Sequence, residues 1–183
     1  MSRHLKDDIR ARQKAVQNNQ LAIPTFTTVK EYLNDLRTIS TLLQRIAGQK
    51  ALIMLAAAVS DYHIPPCKLP HHKIQSGQSS LHLELTPTPK CLGLLKKEWA
   101  PSAFIVSFKL ETDETILVEK AKEAIKKYSV DAVLANELAS RYHRVKVVTS
   151  SGIKGFERSE GRSNLDETYM KYIVGMHSQY IPE

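Results

Sequence analysis

Three predicted β-strands of the chain are each followed by a residue whose side chain can bind a ligand. These residues are, in chain order, Asp61 after the strand over residues 51–59, Lys109 after 102–108 and Asn136 after 131–135. Ligands of open parallel sheets bind beyond the carboxyl ends of the strands, so an acid, a cation and an amide at one rim indicate a binding site. Ala57 and Ala58 leave main-chain groups approachable because their side chains are small.

Each of these residues also has a purely structural explanation. Asp61 and Asn136 can bond the backbone of their own turns. Phe108, at the end of its strand, can belong to the core, and Lys109 can be a solvated charge. The coincidence of these residues at one predicted edge favours a site over separate structural roles.

The loop after the first of these strands contains Cys67, His71 and His72, which are possible metal ligands. Three candidates in one loop, without a second ligand pair at a matching spacing, do not predict a metal site. Cys67 as a nucleophile would need an adjacent base, which the sequence does not indicate. No Walker lysine loop and no G-x-G-x-x-G motif is present. A phosphate ligand would therefore depend on Lys73, Lys109 or main-chain groups.

Helices and strands alternate along the chain, which predicts an α/β fold with a mainly parallel sheet. Residues 2–19 are compatible with a helix, and 21–28 indicate an edge strand because Pro24 cannot donate a ladder hydrogen bond. Thr28 and Glu31 have capping-box spacing at the start of a helix that Gly48 ends. The remaining predicted elements are strand 51–59, a loop over 61–80, a strand or flap over 81–85, a helix starting at Thr88 and Pro89, strand 102–108, a helix capped by Asp113, strands 131–135 and 145–149, a polar loop over 150–163 and a last helix from Leu165.

Composition excludes several classes of protein. The 183 residues are 42% hydrophobic and 25% charged, which predicts one globular domain over residues 1–183. Cys67 and Cys91 are too few for a disulfide framework, and no run approaches the roughly 18 apolar residues of a membrane span, so we expect a cytoplasmic protein without a membrane partner. The net charge of +7 favours anionic partners. Because the positive residues are dispersed, a phosphorylated small molecule is favoured over nucleic acid.

Several segments in series resemble the eukaryotic form of the phosphopantothenoylcysteine synthetase family. They are AAAVSDYHIP, HHKIQS, LTPTPK, EWAPSAFIVSFKLETD and DAVLANELASR. The resemblance runs from FTTVKEYL to VKVVT and is weaker in the last helix. KIQS and FKLETD in this order make the match specific.

The resemblance implies a Rossmann-like three-layer α/β/α sandwich with a mainly parallel sheet and a small flap, assembled as a homodimer. It also implies a ligase of coenzyme A biosynthesis that joins 4′-phosphopantothenate to L-cysteine through an acyl-adenylate. ATP is the co-substrate and Mg²⁺ accompanies it. Bacterial members of the family use CTP, and the FKLET segment resembles the ATP-using branch.

The same resemblance assigns roles to residues on the acyl side of the reaction. Ala57 and Ala58 resemble the residues whose backbone holds the pantothenate arm, and Asp61 the residue that bonds its polar groups. Lys73 of KIQS is similar to the catalytic lysine that faces the triphosphate. A lysine there, together with Mg²⁺, would neutralise the charge that opposes attack of an anion on a polyphosphate.

A second set of residues is similar to the nucleotide-binding residues of the family. Phe108 resembles the aromatic residue that lies against the base, and Asn136 the amide that contacts the nucleotide. Lys109 belongs to the same set.

The sequence departs from the family at its beginning. Members begin with a strand and an S-G-G-T loop, followed by an N-F-S-S-G segment, which bind phosphates and the reacting carboxylate, and an arginine from the partner subunit is expected in the same part. Neither segment is present, so we expect a chain truncated at the N-terminus relative to the family. It is then a fragment or a truncated product of the enzyme, or else a catalytically incomplete regulatory or dimerisation module. Nucleic-acid binding by the basic surface is a weaker third hypothesis.

Overall fold

The computed structural model describes residues 3–70, 72, 82–158 and 164–182. The chain divides into two compact units, Met1–Asn34 and Asp35–Glu183. The single domain over residues 1–183 stays a prediction. None of the helices in the described ranges combines the length and the apolar character that membrane crossing requires.

The first unit contains helix α1 (Arg3–Gln17) and the beginning of helix α2 (Val29–Ile46). The capping box is confirmed, because Glu31 N–H donates to Thr28 Oγ1 at 3.2 Å and Thr28 N–H donates to the Glu31 carboxylate at 3.1 Å. Hydrogen bonds from Thr27, and then from Thr28, hold the pKa of Glu31 below its ordinary value. The edge strand over 21–28 is wrong, since these residues belong to neither sheet in the described part of the chain. Pro24 offers no N–H for pairing, and Thr27 and Thr28 bond the helix start instead.

In the described part of the second unit there are seven strands and the remaining helices. The strands are β1 (Leu52–Leu55), β2 (Tyr62–His63), β3 (Thr86–Pro87), β4 (Phe104–Glu111), β5 (Ala132–Glu137), β6 (Arg144–Val148) and β7 (Ile153–Glu157). The helices are α3 (Leu92–Leu94), which continues as a π-helical turn over Leu95–Trp99, then α4 (Glu114–Tyr128) and α5 (Leu165–Tyr180).

Five strands form the main sheet, in the order β1-β4-β5-β6-β7. The strands β1, β4 and β5 pair in parallel, whereas β6 is antiparallel to both of its neighbours. Four of the five strands therefore run in the same direction. The predicted mainly parallel sheet of a Rossmann-like fold is confirmed.

Helices cover both faces of this sheet. On one face Ile105 and Val133 pack with Leu117 and Ala121 of α4, and partly buried Leu36 of α2 joins this cluster. The opposite face has its own core, which consists of Phe104, Val106, Ala132, Leu134, Val145 and Val147 with Leu165 and Ile173 of α5. These two apolar layers confirm the predicted three-layer sandwich.

The caps of α4 explain its position directly after β4. Asp113 precedes the helix and its carboxylate accepts a hydrogen bond from Thr115 N–H at 2.8 Å, as the sequence predicts. Ser129 ends the helix in the left-handed conformation, with φ of 56°. Both ends of α4 are thus set by local sequence.

One predicted strand and one predicted loop differ from the structure. The strand over 51–59 is paired only as far as Leu55, opposite Ser107, and Ala56, Ala57 and Ala58 are exposed. Alanine has a low preference for strands, which agrees with this early end. The loop predicted over 150–163 contains β7, which pairs with β6 across a tight turn in which Thr149 N–H donates to the Gly152 carbonyl at 2.9 Å.

The small flap also differs in its residues. Residues 82–85 form no strand, and residue 81 lies outside the described residues. The two-stranded antiparallel sheet consists of β2 and β3, with Tyr62 opposite Pro87 and His63 opposite Thr86. Thr88 does not begin a helix, because its N–H donates to the Asp61 carbonyl and extends this pairing.

Candidate functional site

The register of the main sheet brings the ends of three strands to one edge. Leu55, the last residue of β1, pairs with Ser107 of β4, and Phe108 of β4 pairs with Leu134 of β5. The residues that follow β1 and those that end β4 and β5 therefore lie along one side of the sheet. We call this side the carboxyl edge.

The predicted pantothenate-binding residues follow β1 and are open to solvent. Ala57 and Ala58 are exposed. The Asp61 carbonyl accepts a hydrogen bond from Thr88 N–H at 2.8 Å, which fixes its backbone. Its carboxylate is 76% exposed and lies 3.9 Å from Lys90 Nζ. Because this contact is long and solvated, the Asp61 carboxylate can still accept hydrogen bonds from a ligand.

Two of the predicted nucleotide-binding residues lie on the same face of the sheet. Phe108 packs against the α5-side core that contains Leu134. Asn136 lies two positions beyond Leu134, so strand alternation directs it to that same face. Its Nδ2 donates to the Arg144 carbonyl at 3.2 Å, which fixes the amide at the end of β5.

The third, Lys109, lies on the opposite face. Its Nζ is 2.9 Å from Glu111 Oε1, and Lys120 of α4 approaches the same oxygen at 3.0 Å. Hydrogen bonds from Lys109, and then from Lys120, hold the pKa of Glu111 below its ordinary value. The structure thus brings Phe108 and Asn136 together and directs Lys109 to the α4 side.

Lys73, the predicted catalytic lysine, lies outside the described residues, as does His71. His72 is exposed. In the ranges that the structure describes, no three His, Cys, Asp or Glu side chains lie close enough to hold a metal ion.

Sequence reasoning missed the charged residues on the α4 side of the carboxyl edge. A cavity of about 100 Å³ lies there, between α4 and the strands β5 to β7. Glu114 on its wall is 2.8 Å from Lys146, and this hydrogen bond lowers the pKa of Glu114. Part of this set of charged residues could have been found from the K-x-E spacing of Lys109 and Glu111. Residues two positions apart on a strand have their side chains on the same face.

A mostly parallel sheet with helices on both faces and polar side chains along its carboxyl edge defines a Rossmann-like α/β protein. The family model of the DNA/pantothenate metabolism flavoprotein C-terminal domain matches residues 18–166. Because the match covers most of the sequence, the chain belongs to this family.

Curated relatives and a solved structure agree with this assignment. Phosphopantothenate–cysteine ligase 2 of Oryza sativa subsp. japonica is 41% identical over 177 residues, 97% of this chain and 54% of the relative. Phosphopantothenate–cysteine ligase 1 of Arabidopsis thaliana is 42% identical over 173 residues, 93% of this chain and 54% of the relative. A Cab2 mutant in complex with phosphopantothenate-cysteine matches with a TM-score of 0.84 and 31% identity, over 98% of this chain and 62% of that one.

These matches confirm the resemblance to the phosphopantothenoylcysteine synthetase family. The chain spans about half the length of the curated relatives it matches. The roles of Ala57, Ala58, Asp61 and Lys73 and those of the nucleotide-binding set stay predictions.

Proposed function

We propose that the chain is part of a phosphopantothenate–cysteine ligase of coenzyme A biosynthesis. The observation that carries the proposal is that exposed Ala57, Ala58 and Asp61 follow β1 on the side of the sheet where β5 ends with Asn136. Relatives that bear this enzyme's name match 93% and 97% of the chain, which supports the assignment.

The proposed reaction has two steps. A carboxylate oxygen of 4′-phosphopantothenate attacks the α-phosphorus of ATP, and the bond to the β-phosphate oxygen breaks to release pyrophosphate. The nitrogen of the L-cysteine amine then attacks the acyl carbon, the bond to AMP breaks, and the amine proton passes to water. ATP enters as its Mg²⁺ complex, so the metal is part of the substrate.

The residues of the carboxyl edge would divide the binding of the two substrates. The Asp61 carboxylate would accept hydrogen bonds from the pantothenate arm beside the main chain of Ala57 and Ala58. Phe108 and Asn136, on one face of the sheet, would hold the base and sugar side of the nucleotide. Holding both substrates at one edge supplies the proximity that the first step needs.

Two lysines have different places in this proposal. Lys73 is assigned to the triphosphate, where its charge would offset repulsion between the attacking carboxylate and the phosphates. Lys109 was predicted to bind the nucleotide directly. Since its Nζ bonds Glu111 on the α4 side, we propose that it contributes charge to the edge and that Phe108 and Asn136 make the nearer contacts.

The complete enzyme would be a cytoplasmic homodimer. The chain covers 54% of the length of the rice relative. This partial coverage also favours a second candidate function. In it, the chain is a catalytically incomplete fragment, or a regulatory or dimerisation module, that associates with a full-length synthetase.

Pyrophosphate release tests the proposed ligase. We expect the purified chain to release pyrophosphate from ATP only when 4′-phosphopantothenate is present, and to form the cysteine amide when L-cysteine is added. Lys73→Ala should reduce the rate by at least about a hundredfold. Lys171→Ala is the matched control. Lys171 pairs with Glu167 on the exposed face of α5, so its removal should leave the rate unchanged. A Lys73→Ala variant with the wild-type rate would contradict the assigned role.

Co-purification from the source cell distinguishes the second candidate. A folded chain that releases no pyrophosphate, yet elutes with a full-length synthetase, would support the module. A chain that turns over without such a partner would contradict it.

A further inference from the structure

Two buried polar atoms beside the candidate site have no hydrogen-bond partner in the described part of the chain. They are Thr88 Oγ1 and His63 Nδ1. Thr88 is only 7% exposed, so water does not solvate it freely. Buried polar groups are nearly always hydrogen-bonded, so each such atom requires a physical explanation.

Both atoms belong to the small sheet of β2 and β3. His63 lies opposite Thr86, and Thr88 is two residues beyond Thr86, so strand alternation places these three side chains on one face. Thr86 Oγ1 donates to the His63 carbonyl at 3.3 Å, and its hydroxyl is therefore already used. Among the described residues, the hydroxyl of Thr88 and the ring nitrogen of His63 on that face have no partner.

This face adjoins Asp61. Thr88 N–H donates to the Asp61 carbonyl at 2.8 Å, so the backbones of the two residues are held together. Asp61 in turn follows the exposed Ala57 and Ala58 after β1. The unpartnered atoms therefore lie beside the residues proposed to hold the pantothenate arm.

The chemistry of the two atoms selects a kind of ligand group. A threonine hydroxyl donates and accepts, and a histidine Nδ1 does either according to its tautomer. An uncharged hydroxyl or amide satisfies both atoms. A phosphate is a poorer match, because the Asp61 carboxylate beside these atoms repels an anion.

We propose that His63 and Thr88 are binding residues for the hydroxyl and amide groups of an acyl substrate, and that they act beside Asp61. This inference rests on the proposed function, in which that substrate is 4′-phosphopantothenate. The two atoms have no partners among the described residues, and the substrate would supply them.

Calorimetric titration of the purified chain with 4′-phosphopantothenate tests the inference. Thr88→Val keeps the side-chain shape and removes the hydroxyl, and we expect it to weaken binding about tenfold, the effect of one lost hydrogen bond of roughly average strength. The midpoint of unfolding without ligand should stay the same or rise, since a buried unpartnered hydroxyl has been removed. His63→Phe should weaken binding in the same way.

Thr86→Val is the matched control, because it removes a hydroxyl that is already bonded on the same face. It should lower the unfolding midpoint and leave the dissociation constant within about twofold of the wild type. If Thr88→Val binds like the wild type while Asp61→Ala binds more weakly, the inference is overturned and the proposed function stands. A folded wild-type chain that does not bind 4′-phosphopantothenate would overturn both.

Discussion

The two ends of the main sheet use their polar groups in opposite ways. At the amino ends of the parallel strands, which we call the amino edge, Lys96 Nζ donates to Asp131 Oδ2 and to the Ala103 carbonyl, both at 2.8 Å. The same Asp131 oxygen accepts from Ile105 N–H at 2.7 Å. The side chains of Lys96 and Asp131 are only 15% and 19% exposed. At the carboxyl edge, by contrast, the Asp61 side chain is 76% exposed.

Other polar groups at the amino edge are also bonded within the protein. Gln44 accepts from Ser102 N–H and donates to the Ser102 hydroxyl, and Tyr180 O–H donates to the Ser102 carbonyl. At the carboxyl edge the exposed Asp61 and the unpartnered hydroxyl of Thr88 remain available. The carboxyl edge also has internal bonds, at Glu111 and Asn136. The contrast therefore concerns Asp61 and Thr88, whose side chains keep hydrogen-bonding capacity, whereas the polar groups named at the amino edge stabilise the fold.

The largest expected difference between the edges comes from removing one carboxylate at each, Asp131 at the amino edge and Asp61 at the carboxyl edge. Asp131→Ala leaves Lys96 and Ile105 N–H without their partner and should lower the free energy of unfolding by about 2–3 kcal/mol. Asp61→Ala, the matched change at the carboxyl edge, should alter it by less than about 0.5 kcal/mol. Urea unfolding measures both. Equal losses for the two variants would remove the distinction between the edges.

The next largest effect comes from removing one amide side chain at each edge, Asn136 or Gln44. These two substitutions separate an effect on ligand binding from an effect on stability. Asn136→Ala should weaken ATP binding about tenfold, because the proposed hydrogen bond to the nucleotide would be lost. Gln44→Ala should leave ATP binding unchanged and lower the unfolding midpoint, because its bonds to Ser102 are structural. Titration calorimetry and thermal unfolding check the two effects. Weaker ATP binding by Gln44→Ala alone would contradict the assignment of the edges.

The smallest effect concerns acid stability at the carboxyl edge. Lys109, and then Lys120, hold the pKa of Glu111 below its ordinary value of 4.5. Glu111 therefore contributes stability that is present above this ordinary value and is lost as the pH falls through the lower folded-state pKa. Glu111→Gln should flatten the fall of the unfolding midpoint below about pH 4.5. A variant whose acid profile coincides with that of the wild type would exclude this contribution.

Features set by neighbouring residues could be predicted from the sequence. The capping box of Thr28 and Glu31, the Asp113 cap and the apolar face of α4 all depend on contacts within a few residues. The strands that precede Asp61 and contain Asn136 were also predictable from their apolar runs, although β1 ends at Leu55 rather than at residue 59. The family followed from motifs in series.

Features that depend on distant pairing could not be predicted in the same way. β7 is an exposed edge strand with Gly155 at its centre, so its sequence resembles a loop until β6 pairs with it. The pairing of β2 with β3 joins residues more than twenty positions apart. The side chains of neighbouring strand residues point to opposite faces of a sheet. The face of Lys109 therefore followed as soon as Phe108 was known to pack against the α5-side core, which the sequence alone does not show.

Amide hydrogen exchange with and without 4′-phosphopantothenate and ATP tests the division between the edges most directly. The account predicts slower exchange on ligand addition at residues 56–63, at Thr86 and Thr88 and at Asn136, with no change at 103–105 and 131. Slower exchange confined to the amino edge, or no change anywhere in a folded chain at saturating ligand, would contradict it.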